Sequence, residues 1–320
     1  MRKVFYLALT VFTVILVSGC SIKKLAFNSI ADMLAPSSEK AAGINEESNP
    51  MIALTGENDP QLVRDFFPTA LKLYEIMHLQ NPGHEGLAIM TGQLYIMYAN
   101  VFVQQPASRL PYDKFDEQDA AYLRAQNFYV RGKDYVLVGL NHRYPAFTEA
   151  VFGKNETNAQ KMLAKCNKND VAALYWAGSG TLAAFSLNPV EPIYLENVPG
   201  GLAMLERAVE LDPAFNNGAI WEVLTAFYAA APESLGGGFE KAEDAYRNAL
   251  EYSRGLSPST YLAYVQNFCI PTQDSAGFDE YIDKALAIDP DLQPENRLAI
   301  ILSQEQAYWM KQNKEYFILE

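Results

Sequence analysis

Met204-Leu205-Glu206-Arg207-Ala208-Val209-Glu210-Leu211-Asp212-Pro213 is a decapeptide whose pattern returns twice. It recurs as Ala242-Glu243-Asp244-Ala245-Tyr246-Arg247-Asn248-Ala249-Leu250-Glu251 and as Tyr281-Ile282-Asp283-Lys284-Ala285-Leu286-Ala287-Ile288-Asp289-Pro290. Ala208, Ala249 and Ala285 occupy equivalent places, 41 and 36 residues apart. Recurrence at such a period marks a stack of supersecondary units. Apolar residues fall three and four apart, so each stretch is an amphipathic helix. The small alanine admits a close neighbour, and the proline that follows two of the three ends the helix. Apolar helical segments precede each copy, at Val171 to Leu187, Gly218 to Ala230 and Ser259 to Cys269. Each repeat is thus a helical hairpin whose second helix carries the quoted pattern. Gly236-Gly237-Gly238 reads as a turn that closes one hairpin.

The amino half carries the same signal more faintly. Leu62 to Leu79 reads as a helix closed by Asn81-Pro82-Gly83, and Leu87 to Val103 as its partner, closed by Gln104-Gln105-Pro106. Asp116 opens a longer helix reaching Leu140, followed by segments at Tyr144 to Phe152 and Thr157 to Lys165. No run alternates with the period of a strand. Residues 59–320 are expected to form one all-α domain, with 59–165 a divergent half and 166–312 the clearer repeats. The pattern resembles an irregular tetratricopeptide-like solenoid of about four hairpins, because its period exceeds the 34 residues of a standard repeat. Stacking of this kind leaves a concave surface or a central hole, lined by the first helix of each hairpin.

Met1 to Lys3 carries two positive charges, and Val4 to Val17 is an almost unbroken apolar run, shorter than the roughly 20 residues of a membrane span. This is the organisation of an export signal. It ends in Val17-Ser18-Gly19-Cys20, which looks like a bacterial lipobox, so residues 1–19 would be removed and Cys20 would carry lipid. Acyl chains on Cys20 would hold the protein to a membrane. Residues 20–58 read as anchor and tether, with one short helix at Leu25 to Leu34. No later segment reads as long and apolar enough to span. The expected location is the periplasm, anchored to the outer membrane or to the periplasmic face of the inner one. Cys166 and Cys269 remain in the mature chain, where one disulfide and two separate buried thiols are both open readings.

The chain of 320 residues has 25 Lys and Arg against 38 Asp and Glu, a formal charge of -13. That balance gives no attraction to a phosphate backbone, so nucleic acid is not an expected partner. His78, His84 and His142 lack metal-ligand spacing, and no paired Cys-x-x-Cys, nucleophile elbow, phosphate loop or dinucleotide fingerprint appears. Gly178-Ser179-Gly180 sits inside an apolar helix, where close packing accounts for the glycines. Neither catalytic residues, nor a metal, nor a cofactor is expected.

Aromatic residues are the more informative signal. Tyr175, Trp176, Trp221, Tyr228, Tyr261 and Tyr264 fall on the first helices of successive carboxyl-half hairpins, with Glu222 and Arg297 as candidates for a polar end. Core packing explains an aromatic stripe of this kind, and so does an aromatic-lined cavity for an elongated amphipathic ligand.

Several motifs carry a family resemblance. They are Cys166-Asn167-Lys168-Asn169-Asp170-Val171, Ala173-Leu174-Tyr175-Trp176-Ala177-Gly178, Leu205 to Pro213, Gly218-Ala219-Ile220, Pro271-Thr272-Gln273-Asp274, Lys284 to Asp291 and Pro294-Glu295-Asn296-Arg297-Leu298-Ala299. Together they resemble the T component of tetratricopeptide-protein-associated TRAP transporters, over about Lys165 to Trp309. Trp221 stands where the family has a histidine, and a second aromatic near Ser179-Gly180 is missing. The resemblance implies a lipid-anchored periplasmic helper that forms a homo-oligomer, with a trimer among its states, and docks the substrate-binding (P component) protein. It further implies passage of a hydrophobic small molecule through a hole in each protomer. A repeat lipoprotein that scaffolds an envelope assembly, with no small-molecule ligand, is the competing expectation.

Overall fold

The computed structural model describes residues 28–36 and 51–319. The export signal, the Cys20 lipid site and the stretch through Glu46-Glu47 lie outside the described residues. Within them the protein is all-α, with no strand. Residues 28–34 form α1. The elements that follow are α2 (Ile52–Thr55), α3 (Pro60–Gln80), α4 (Glu85–Tyr98), α5 (Phe115–Arg143), α6 (Phe147–Phe152) and α7 (Glu156–Leu163). In the carboxyl half come α8 (Val171–Leu187), α9 (Pro192–Leu211), α10 (Ala219–Ala230), α11 (Phe239–Ser253), α12 (Pro258–Tyr264), α13 (Ser275–Leu286) and α14 (Arg297–Gln312).

Capping chemistry sets many of the boundaries. Asp59 accepts from the amides of Gln61 and Leu62 at the start of α3, and Pro60 occupies the first helical position, where its missing N–H costs nothing. Asn155 and Asp274 cap α7 and α13 in the same way. Asn167 and Asp170 form a reciprocal capping box ahead of α8.

The carboxyl half consists of three helical hairpins, α8 with α9, α10 with α11 and α12 with α13, with α14 packed on the last. Ala208, Ala249 and Ala285 are wholly buried, at the places where the repeat requires a small side chain. In the amino half, α3 packs on α4, and the long α5 packs on both α4 and α8, joining the halves. One large core runs from Val63 and Phe67 of α3 to Leu298 and Leu302 of α14. A second, around Phe278, Ile282 and Met310, serves the last hairpin and α14. Residues 28–36 lie on the body, with Ala31 and Ala35 buried against Met77 and Leu87.

Two helices run past their expected ends, each across a proline. α4 continues through a π-helical turn, Ala99–Gln104, into Gln105–Ser108 across Pro106, and α12 continues through Val265–Cys269 into Ile270–Thr272 across Pro271. A proline ring clashes with the carbonyl four residues back, and the wider π turn removes that clash without ending the helix. Glu85–Ser108 is thereby long and apolar enough to cross a membrane by length and composition, contrary to the sequence expectation. Its packing is that of a core helix, with Leu87, Leu94, Tyr95, Ile96 and Ala99 buried. At Gly236-Gly237-Gly238 the chain turns as expected: Gly236 and Gly238 have φ of 91° and 146°, and a Cβ at Gly237 would overlap the Ala231 carbonyl.

Candidate functional site

The structure places the eight candidate side chains in separate neighbourhoods. Tyr175 and Trp176 lie on α8, Trp221, Glu222 and Tyr228 on α10, and Tyr261 and Tyr264 on α12. Arg297 begins α14.

The first neighbourhood joins α8, α10 and α12. The Tyr175 ring lies 4.8 Å from Trp176, edge to face, and 5.4 Å from Phe215. Phe215 arrives there on a loop in which Asn216, Asn217 and Gly218 are all left-handed, with φ of 44°, 56° and 89°. Asparagine is among the few side chains that tolerate this region. Trp221 donates its indole N–H to the Pro213 carbonyl at 3.0 Å. Beside it, Glu222 is met by the first turn of α12. Its Oε1 accepts from the hydroxyls of Ser257 at 3.1 Å, Ser259 at 3.0 Å and Thr260, while Oε2 accepts from Ser259 at 2.8 Å.

Burial raises the Glu222 carboxyl above the ordinary carboxylate range, and the three hydroxyls pull it partly back. Burial likewise raises the Tyr175 phenol, with the Glu222 charge adding to it. One turn further along α8, the Ser179 Oγ is fully buried and lacks a hydrogen bond of good geometry, although the Tyr175 phenol is beside it. Tyr175 and Glu222 both keep some accessible surface.

The second neighbourhood is a cluster of tyrosines. Tyr264 stacks on Tyr281 at 4.1 Å and lies 4.7 Å from Tyr246 and 5.0 Å from Phe268, while Tyr261 lies 6.1 Å from Tyr281. The Tyr246 hydroxyl is buried beside Tyr281. Sequence reasoning missed Tyr246 and Tyr281, although both stand in the repeated stretches. It placed those stretches on second helices, and second helices face away from a solenoid's inner surface only when the hairpins are regular.

The remaining two candidates point elsewhere. Tyr228 donates to Glu206 Oε1 at 3.1 Å with Lys241 over its ring, so it serves contacts to α9 and α11. Arg297 pairs with Asp291 at 2.8 Å and donates to the Gly56 carbonyl at 3.2 Å, which ties the chain after α2 to α14. A broad open groove of about 780 Å³ runs along α5, lined by Leu123, Arg124, Phe128, Arg131, Tyr135 and Val138 among others, and holds none of the eight.

Several motif residues have structural duties. Asp170, wholly buried, lies 3.0 Å from Arg143 Nε and accepts from the Tyr144 hydroxyl at 2.7 Å and the Asn167 amide at 2.8 Å. Arg207 donates to the carbonyls of Leu163 and Cys166, satisfying the end of α7. Cys166 and Cys269 are free buried thiols. Burial pushes them up to about 12 and about 11, where little thiolate forms. His142, distant in sequence, joins His78 and His84 near the α3–α4 turn. His84 caps α4 through Nδ1 and faces Asp32, His142 bonds the Pro82 carbonyl, and His78 is buried against Tyr135. Among the described residues no group of three or more His, Cys, Asp or Glu is placed to hold a metal.

Comparison with known proteins bears on the whole domain. A family model described as TRAP transporter T-component matches residues 56–317. A protein of Treponema pallidum (strain Nichols), described as an uncharacterized protein, is 46% identical over 307 residues, covering 96% of this chain and 95% of that protein.

Proposed function

This chain belongs to the TRAP transporter T-component family, and on that premise we propose that it is a lipid-anchored periplasmic helper that docks the substrate-binding protein of a TRAP system. It passes a hydrophobic or amphipathic ligand to that protein through an internal cavity. The observation that supports the reading is the aromatic cluster of Tyr175, Trp176 and Phe215 with the Glu222 carboxyl close enough to act on the Tyr175 phenol, a pairing of apolar rings with one ionisable group that suits an amphipathic ligand.

Assembly is part of the same reading. On α3 the apolar residues fall on two faces. Val63, Phe67, Ala70 and Leu71 are buried, whereas Leu62, Phe66, Leu73 and Ile76 form an exposed stripe on the adjoining face. A second apolar face on a helix already seated in a core supports contact with another protein, and we assign it to association between copies of this chain. The anchor at Cys20 would fix the assembly to the membrane.

Native mass spectrometry of the full chain carrying Cys20→Ser, alone and mixed with the cognate TRAP binding protein, tests the proposal. A defined oligomer that captures the binding protein in fixed ratio is expected. A monomer indifferent to that partner would move the protein to the envelope-scaffold reading.

A further inference from the structure

Asn28 of α1 follows Cys20 by only eight positions. Eight residues reach at most about 29 Å when fully extended, whereas a compact domain of this size is roughly 50 Å across. The place where α1 sits on the body therefore decides which side of the protein a lipid on Cys20 holds near the bilayer. α1 is fastened beside the α3–α4 turn. Asn28 accepts from Asn81 Nδ2 at 2.8 Å, Asp32 faces His84 Nε2 at 3.3 Å, and the Leu34 carbonyl accepts from the Tyr74 hydroxyl at 3.0 Å. Ala31 and Ala35 are wholly buried in a cluster with Met77 and Leu87. The chain leaving α1 lies so close to α4 that a Cβ on Gly86 would overlap the Ala35 and Pro36 carbonyls.

Ala31 and Ala35 use one face of α1, and the outward face is apolar too. Ile30 and Met33, one turn apart, are 50% and 62% exposed. Leu79, two residues before the Asn81 that holds α1, is 70% exposed in the last turn of α3. Lys23 and Lys24 stand between Cys20 and α1 in the sequence, where positive charge favours anionic headgroups. Apolar side chains on the outside of a helix, with basic residues beside them, suit the boundary between headgroups and acyl chains. α5 marks the far side of the body. His142, near its end, bonds the Pro82 carbonyl of the α3–α4 turn at 2.9 Å. Tyr112, just ahead of its start, stands about 40 Å away along the helix.

We propose that the outward face of α1, at Ile30 and Met33, and the end of α3, at Leu79, form a foot that rests on the lipid surface. This deepens the lipid-anchor reading given above and rests on it. The occupant of the foot is the bilayer itself, because the short link to Cys20 brings this end, and no other, within reach of the membrane at all times. The α3–α4 turn then points to the membrane, and the start of α5 points away from it. Docking of α1 on the body makes the foot rigid, so the anchor fixes an orientation as well as a location.

The test places the mature protein, acylated on Cys20, in vesicles of phosphatidylethanolamine and phosphatidylglycerol. Nitroxide labels are introduced singly through Ile30→Cys, Met33→Cys, Leu79→Cys and Tyr112→Cys. All four positions are exposed, so the thermal midpoint should stay unchanged, and the buried Cys166 and Cys269 are shielded from the reagent. Collisions of each label with oxygen, which concentrates among acyl chains, are compared with collisions with a nickel chelate confined to water. The oxygen-to-nickel ratio is expected to be severalfold higher at Ile30 and Met33 than at Tyr112, with Leu79 between. Protein that floats with the vesicles and gives one ratio at all four positions would overturn the foot and leave the anchor standing. Protein that carries no lipid on Cys20 and stays in solution would overturn both. High ratios at Ile30 and Met33 with an aqueous Leu79 would mean that α1 enters lipid without the body, and would overturn the docked foot. Labels on α1 closed to both reagents would mean that protein covers it, a second copy or a partner, and would overturn the lipid assignment.

Discussion

Asp170 is the most constrained single residue in the protein. Its side chain is buried, bonded to the Asn167 amide and the Tyr144 hydroxyl, and paired with Arg143, so one carboxylate joins the end of α5 to the start of α8. Asp170→Ala removes the buried carboxylate that faces Arg143 and takes the acceptor from the capping box. The expected cost is about 3 kcal/mol, measurable as a shift in urea midpoint at constant slope. His78 gives a pH dependence of opposite chemistry. Burial lowers its affinity for a proton, and the charges of His142 and His84 lower it further, so its folded-state value lies below that of the unfolded chain. The unfolded state therefore binds the proton more tightly. The stability that neutral His78 contributes is full above the ordinary histidine value of about 6.5 and is lost as pH falls through it. Urea unfolding from about pH 7.5 to about pH 5.5 should show stability falling with acidity, and His78→Phe, which keeps an aromatic against Tyr135, should flatten that decline. An unchanged slope in the variant would assign the dependence to other groups.

At the scale of elements, glycines decide how closely helices pack. A Cβ on Gly92 of α4 would overlap the Gly132 carbonyl and the Val136 side chain of α5, and one on Gly132 would meet the Gly92 carbonyl at 2.7 Å. In an exposed helix, glycine to alanine gains up to about 1 kcal/mol. Gly92→Ala is expected to reverse that sign and lose about 2 kcal/mol by forcing α4 and α5 apart. Gly83→Ala, with open space around its Cβ, should be near neutral in the same thermal unfolding experiment. The helices themselves were legible because their apolar spacing and caps are local. Val171–Leu187 matches its reading residue for residue, and the buried alanines of the repeats fall where the pattern put them. Pro106 misled for a local reason too, since a π turn leaves no trace in residue spacing. The candidate site was half legible. Tyr175 and Glu222 came from their place on first helices, but Ser179, Ser257, Ser259 and Thr260 carry no pattern of their own. They become a polar cluster only when three hairpins stack. Arg297 shows the converse, a conspicuous charge whose partners, Asp291 and the Gly56 carbonyl, belong to the frame.

At the scale of the molecule, the exposed stripe on α3 separates folding from assembly. Leu62, Phe66, Leu73 and Ile76 are each about half exposed or more, on a face of the helix adjoining the one in the core. Side chains in that state contribute little to the stability of a single chain, because folding removes little of their surface from water. The double substitution Phe66→Glu with Leu73→Glu should therefore leave the urea midpoint of the single chain within about 0.5 kcal/mol of its original value. In an assembly of copies the same change places two carboxylates in an apolar contact, and each must lose its water or hold the surfaces apart. Sedimentation velocity of the full chain carrying Cys20→Ser should accordingly show the assembled species replaced by monomer, while circular dichroism stays helical. If the assembly survives and capture of the binding protein fails instead, the stripe is the docking face. Loss of helicity would mean that α3 needs its outer face for folding, and the assignment to assembly would fall.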